Sequence, residues 1–392
     1  MTIQPLNSDP GLVAMRRRLH AIPEIGLSEF KTSDLVADEL TRLGFQVTRG
    51  LAGTGIVASL RNGDSDRSVG IRADFDALPI EEQTGADHAS THPGCMHACG
   101  HDGHTAMLLG AAARLAERRR FNGTVHLIFQ PAEENFGGAK LMMEDGLFER
   151  FPCDAVFGLH NEPSLPLGSF AFREGEMMAA ADECRITVIG KGGHGAEPHL
   201  AADPIVCGAS IIMALQTIVS RNTQASQPAV ITVGTFHGGN ASNVIPESAE
   251  MCLTVRALDP DIRDSLEGRV RAVAEGQAAS YGMRVEIDYE RFYPPLINPK
   301  AETDYVRKFA QGFAGAGKVH DMSHPIMGSE DFSYFLEERP GCYFLLGTAR
   351  TENDPPLHHP QYDFNDDALP IGAAFWTELA EDFLSHDRSA GR

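Results

Sequence analysis

Basic residues are scarce in this chain. Of 392 residues only 33 are Lys or Arg, against 54 Asp or Glu, for a formal net charge of −21. A phosphate backbone or an anionic membrane surface would be repelled by such a balance, which excludes nucleic acid and lipid headgroups as expected partners. Long hydrophobic runs are also missing. No uninterrupted apolar stretch approaches the roughly eighteen residues of a bilayer span, and Met1-Thr2-Ile3-Gln4-Pro5-Leu6-Asn7 has no basic segment leading into an apolar one. The expectation is a soluble, unexported protein. Cysteine is present but sparse. Seven thiols, an odd number and scattered apart from Cys95 and Cys99, argue against a disulfide framework and for a reducing, cytoplasmic setting. No internal repeat or low-complexity tract is evident.

The remaining patterning is that of a large α/β protein. Helical periodicity runs over Leu12–His20, over Lys31–Leu43 until Gly44, and over Thr105–Arg118. Short β-branched stretches at Gly55–Leu60, Val69–Ile71 and Thr124–Phe129 read as strands, and their alternation with helices predicts a mostly parallel mixed sheet. From about Asp182 the order changes: strand Cys184–Ile189, helix Pro204–Val219, strands Val230–Phe236 and Ala249–Ala257, helix Asp261–Tyr281, strand Arg284–Tyr289. That β-α-β-β-α-β order is ferredoxin-like. It predicts an inserted domain over 181–294, closed by Tyr293-Pro294-Pro295, within a catalytic domain made of 1–180 and 295–392.

The densest group of potential ligands is Cys95-Met96-His97-Ala98-Cys99-Gly100-His101-Asp102-Gly103-His104. A thiolate and an imidazole flanking one glycine can both face a single cation. The competing reading is a loop of solvated histidines and buried cysteines. Gln130-Pro131-Ala132-Glu133-Glu134-Asn135 comes directly after an apolar strand. Adjacent carboxylates cannot share a direction on a strand, but at its end they can straddle a metal, one binding it and one taking a proton from water. An acidic surface loop is the alternative, although strand C-terminal ends are where open α/β sheets put ligands. Leu159-His160-Asn161 and Leu357-His358-His359-Pro360 add imidazoles of the same kind. Asp74 and Asp76, ending another strand, can orient a ligating imidazole by accepting its second N–H, or cap a loop. In the insertion, Gly190-Lys191-Gly192-Gly193-His194-Gly195 lacks the strand-to-helix context of a dinucleotide loop and instead presents His194. Asn240 and Asn243 add polar groups, and Arg256 lies in an apolar strand, where it needs an anion such as a substrate carboxylate or a structural partner.

Taken in order, Arg18-Leu19-His20-Ala21-Ile22-Pro23-Glu24, Asp74–Pro79, His97–Asp102, Gln130–Glu134, Gly158-Leu159-His160, Gly192–Gly195, Asn243-Val244-Ile245-Pro246, Met327–Phe332 and Leu357-His358 resemble the M20 metallopeptidases. The likeness is to their amidohydrolase branch, with its hippurate and auxin-conjugate hydrolases, and covers nearly the whole chain. It implies a zinc-peptidase-like catalytic domain with a ferredoxin-like lid and dimerisation domain. It also implies two divalent ions, manganese or zinc first and nickel or cobalt next, bridged by Cys99. Glu134 and His358 would complete one ion's set, and His101 and His160 the other's. By the same resemblance Asp76 supports the centre, and Asp74 stands where other branches carry a ligating histidine. Glu133 is the general base, and His194 is a donor to the developing oxyanion that reaches the site across a homodimer or dimer of dimers. Asn243 and Arg256 hold the substrate carboxylate.

The implied reaction is hydrolysis of small N-acyl amino acids. A deacetylase of N-acetyl-diaminopimelate or a dipeptidase of the same branch is the nearest rival. A non-catalytic metal or redox sensor is the rival from another class, disfavoured by the spare carboxylate of Glu133.

Overall fold

The computed structural model describes residues 5–385, which divide into two compact units. The first comprises residues up to Gly175, Asn298–Ser323 and the chain from Tyr334 onward; the second comprises Glu176–Ile297 and His324–Ser333.

In the first unit, helix α1 (Asp9–His20) starts where the Ser8 hydroxyl caps Gly11 N, with a proline in the first turn and Arg17, Arg18 and His20 in the last. Helix α2 (Phe30–Arg42) is next, then strands β1 (Gln46–Leu51), β2 (Gly55–Asn62) and β3 (Ser68–Asp74). Helix α3 (His101–Arg118), β4 (Gly123–Gln130), β5 (Ala155–Pro166) and β6 (Phe170–Phe172) come after these. With the strands Val319–Asp321 and Gly341–Ala349 they build an eight-stranded mixed sheet. Its order is β1, β2, β4, β3, β5, Gly341–Ala349, β6, Val319–Asp321. In the centre β3 runs parallel to both β4 and β5, and the strand Gly341–Ala349 runs parallel to β5. Every residue of β3 is buried, as expected of a parallel strand covered on both faces.

Register decides where a site can form. Asp74 lies level with Gln130, and Arg72 with Gly158, so β3 and β4 deliver their C-terminal ends to one edge while β5 runs on past it. The loops that leave this edge carry Asp76, Glu133 and Glu134, while His160 sits on β5 itself.

Helix α3 is buried for almost its whole length. It begins at His101, four residues before the start that apolar periodicity predicts. The reason is Gly100, whose left-handed φ of 92° starts the helix with no side-chain cap, so that a His-Asp-Gly-His stretch resembling a turn becomes its first turn. Close packing of α1, α3 and Leu369–Ser385 depends on small residues. A Cβ on Gly110 would come within 2.6 Å of Leu12 and 2.8 Å of Ala373. Strand β1 escaped sequence reading because Thr48, Arg49 and Gly50 interrupt its apolar pattern at the sheet edge.

The second unit carries a four-stranded antiparallel sheet in the order Ala229–Gly238, Ser248–Ala257, Ala180–Ile189, Arg284–Arg291. Helices Pro204–Thr217 and Pro260–Ser280 pack on it through Cys207, Ile211, Leu215, Leu266, Val270 and Ala274. This is the ferredoxin-like arrangement. The segment Pro204–Asn222 is long and apolar enough to cross a membrane by length and composition, yet its buried face belongs to this core.

Gly110→Leu is expected to destabilise the first unit by about 1–3 kcal/mol through overpacking against Leu12 and Ala373. Urea denaturation measures it, and an unchanged midpoint would contradict the close approach.

Candidate metal centre

Cys99 is the hub of the site. Its Sγ lies 3.3 Å from His160 Nε2 and 3.3 Å from His358 Nε2, and His358 Nε2 lies 3.2 Å from Glu134 Oε1. The donor atoms fall into two triads, Cys99/His101/His160 and Cys99/Glu134/His358, each with all atoms within 4.8 Å of one another and both containing the sulfur. Glu133 groups with His101 and Glu134 at the same spacing.

Each donor is aimed by an anchor on its far side. The His101 Nδ1–H donates to Asp76, 3.0 Å from its carbonyl and 3.1 Å from its Oδ1, leaving Nε2 buried and without a hydrogen-bond partner. Glu134 N donates to the other Asp76 oxygen at 3.0 Å, so one carboxylate positions a donor of each triad. His160 Nδ1–H donates to Asn161 O at 2.7 Å and thereby turns Nε2 toward the sulfur. His358 adopts a left-handed φ of 64°, and its N–H donates to Ala98 O at 2.9 Å, tying a loop remote in sequence to the residue before Cys99. Gly100 must be glycine on two counts: its φ is positive, and a Cβ would meet the Asn161 side chain at 2.4 Å.

A deeper tier fixes the strand beneath. Asp74 takes Arg72 at 2.6 Å and the His104 Nδ1–H at 2.5 Å, and His104 Nε2 accepts from Asn161 N at 3.1 Å. Asn161 therefore connects His104 to the carbonyl that orients His160. Asp74 serves as a buried brace between Arg72 and His104.

The electrostatics arise from burial beside carboxylates. Burial, then Glu134, Glu133 and Asp74, raise the Cys99 thiol well above its ordinary range. A divalent cation reverses that balance, since a coordinating thiol is deprotonated outright. Burial opposes protonation of His101, but Asp74, Asp76 and Glu134 outweigh it and bring the group up to about 10. Burial and the neighbouring His104 push His160 down to about 3. Burial works to raise Glu134 and loses to His358 and His101, which hold it below the usual carboxylate range. Orphaned His101 Nε2, one sulfur common to two N/O/S triads and several buried acids make a donor set that fits divalent cations.

Other members of the Cys95–His104 cluster turn elsewhere. Asp102 receives Arg16 at 2.7 Å and His20 at 2.8 Å, and Arg16 also reaches Asp363 at 2.7 Å. His97 is buried with neither ring nitrogen hydrogen-bonded, and burial pushes it down to about 3. Cys95 is a buried free thiol outside both triads. His359 accepts from Gln361 N, while its neighbour His358 faces the sulfur.

In the second unit, His194 pairs with Val244 in a two-stranded ribbon, and Gly195 N donates to Asn243 O at 2.8 Å, bringing exposed His194 and Asn243 together. Arg256 donates to Ser329 Oγ at 3.0 Å and Thr254 Oγ1 at 3.1 Å. Among the described residues no carboxylate forms a salt bridge with it.

Sequence reading missed Arg16, Glu29, Glu82 and the bracing role of His20. His20 lies inside the motif Arg18–Glu24, but nothing local marks it as buried.

Comparison with known proteins identifies the family. The model of peptidase family M20/M25/M40 matches residues 70–382. Hippurate hydrolase of Campylobacter jejuni is 41% identical over 370 residues, 94% of this chain and 96% of that protein. N-acetyl-L-cysteine deacetylase of Bacillus subtilis is 39% identical, covering 97% of this chain and 89% of that protein. Among solved structures, the YXEP protein of Bacillus subtilis, described as a dinuclear metal binding peptidase from the M20 family, superposes with a TM-score of 0.83 at 34% identity, over 96% of this chain and 98% of that one. The chain belongs to peptidase family M20/M25/M40.

His20 supplies a test of the buried network. Burial disfavours its charge, but Asp102 and Glu82 raise it to about 9. Its contribution to stability is therefore complete below about pH 6.5 and is lost as pH rises toward 9. The urea midpoint should fall across that window, and His20→Gln should flatten the fall; identical pH slopes for the two proteins would refute the pairing.

Proposed function

We propose that this protein hydrolyses the amide bond of small N-acyl amino acids, such as N-benzoyl or N-acetyl derivatives, at a dinuclear metal centre. The observation that carries the reading is the pair of triads sharing Cys99, with Glu133 beside them as a further carboxylate. In this reading Cys99, His101 and His160 would hold one ion, and Cys99, Glu134 and His358 the other. Two divalent cations so held would supply Lewis acidity for the amide carbonyl and acidify water. Glu133, seven per cent exposed, accepts a proton from the attacking water and returns it to the leaving amine. Asp76 keeps His101 and Glu134 fixed while charge develops. His194 is assigned as hydrogen-bond donor to the oxyanion. Arg256 and Asn243 are assigned to the substrate carboxylate, Arg256 because it is half buried among hydroxyls with a guanidinium suited to two parallel bonds. The relatives named for hippurate and N-acetyl-L-cysteine support the substrate class. A thiolate favours zinc, and the mixed N and O donors admit manganese, nickel or cobalt. Seven free thiols support work in a reducing cytoplasm.

A homodimer belongs to the same proposal. Helix Pro204–Thr217 exposes Val206 at 53% and Met213 at 71%, two turns apart on one face. In the same unit, strand Ala229–Gly238 is a sheet edge whose outer ladder is unpaired among the described residues. Met213→Glu is expected to shift the protein to monomer in analytical ultracentrifugation; an unchanged sedimentation coefficient would remove this face from the interface.

Glu133→Gln should lower kcat by about 10²–10⁴-fold while metal content by mass spectrometry stays at the wild-type level. The assay is a panel of benzoyl, acetyl and long-chain acyl groups on glycine and other amino acids, N-acetyl-diaminopimelate and dipeptides included. Full turnover by the Glu133→Gln variant would sink the assignment of the base, and no hydrolysis of any member with any metal would sink the function.

A further inference from the structure

Glu29 is fully buried, far in sequence from the metal centre, and not used by the chemistry above. Its backbone caps α2, yet its side chain makes no capping bond there. One carboxylate oxygen accepts the Thr54 hydroxyl at 2.7 Å, and the other accepts Ala132 N at 2.9 Å. Ala132 has a φ of 54°, a left-handed conformation that an alanine adopts only when its surroundings impose it.

That conformation matters because Glu133 and Glu134 come directly after it. Strand β4 ends at Gln130, and on a continuing strand the two carboxylates would project to opposite faces. The left-handed residue breaks the alternation, and both carboxylates end within the same group of donor atoms as His101. The rest of the turn is pinned through its backbone: Gly138 N donates to Ala132 O at 3.1 Å, and Glu134 N to Asp76 at 3.0 Å. Glu29 supplies the bond at the remaining point, the Ala132 N–H. Tight packing restricts the course of the turn further, since a Cβ on Gly26 would come within 2.9 Å of the Ala132 Cβ.

We propose that Glu29 is a positioning residue for the hydrolytic reaction: by holding Ala132 in its left-handed turn it sets where Glu133 stands relative to the substrate amide. The inference rests on Glu133 being the base. Burial lifts the Glu29 carboxyl to about 7. When it is protonated, the Thr54 hydroxyl turns from donor to acceptor, and the Ala132 bond persists. A glutamine side chain makes the same pair of bonds, whereas leucine makes neither.

Glu29→Leu, measured with metal at saturation, is expected to lower kcat by about 10–100-fold, with KM within about threefold of wild type and metal content retained, because a small misplacement of a reacting group is costly. Glu29→Gln should restore kcat to within about threefold of wild type. Unchanged kcat in Glu29→Leu, or equal loss in the Gln and Leu variants, would overturn the proposal. So would a loss in Glu29→Leu that merely tracks the unfolded fraction by circular dichroism. If the Leu variant does not fold, Thr54→Val removes only the hydroxyl that steadies Glu29. A fall of about tenfold in kcat at constant KM then supports the proposal, and a kcat within about threefold of wild type overturns it. Glu133→Gln run alongside separates the two ideas: activity in Glu133→Gln defeats the assignment of the base, whereas an inactive Glu133→Gln beside a fully active Glu29→Leu defeats only the role of Glu29.

Discussion

The first unit buries a large amount of negative charge at one sheet edge. Asp74, Asp76, Glu133 and Glu134 surround a thiol that must itself ionise to serve as a ligand. Burying a carboxylate is costly unless a cation or several hydrogen bonds compensate it. Arg72 does this for Asp74, and Asp76 is occupied by His101 and the Glu134 amide. The remaining charge converges on Cys99, and the surrounding structure holds that concentration in place until cations balance it. Catalytic capacity and the folding cost of the site have the same origin.

The scaffold answers this constraint with parallel strands and left-handed residues. Strands β3 and β4 end level, and β5 passes alongside them carrying His160, which brings three otherwise unrelated stretches to one edge. Fine aiming comes from Gly100, Ala132 and His358, all at positive φ and each adjacent to a donor or itself one. A backbone hydrogen bond or a buried side chain secures the two that are not glycine: Ala98 for His358 and Glu29 for Ala132. Tolerating such conformations depends on the dense packing around them.

Much of this is legible in the chain, because the chemistry resides in short motifs. Cys99-Gly100-His101, Glu133-Glu134, His160 and His358 announce themselves by residue type and, for most, by their place after apolar strands. Periodicity finds α1, α2, β2, β3 and β4 and the strands and helices of the ferredoxin-like layer because buried faces impose it, and it places no element after Pro295. It fails at the start of α3, where Gly100 begins a helix without a capping side chain, and at β1, an edge strand with little to bury. Asp102 misleads in a different way. Its place beside His101 suggests a ligand, whereas the first turn of α3 directs it to Arg16 and His20 on α1. Glu29 carries no local signature at all, since its partners Thr54 and Ala132 are distant in sequence and only the fold brings them together. Motifs reveal donors; the groups that aim them are defined by tertiary contacts.

The span of the site along the chain also bears on how the protein is made. Cys99 and His358 are 259 residues apart, and the whole ferredoxin-like segment is synthesised between His160 and His358. On a ribosome every residue of the second unit is made before His358 of the first, and domains generally fold as units. Until then one triad is a partner short, and closing so long a loop carries an entropic cost that the other contacts must already have met. The triad of Cys99, Glu134 and His358 can therefore come together only after nearly the whole chain has been made.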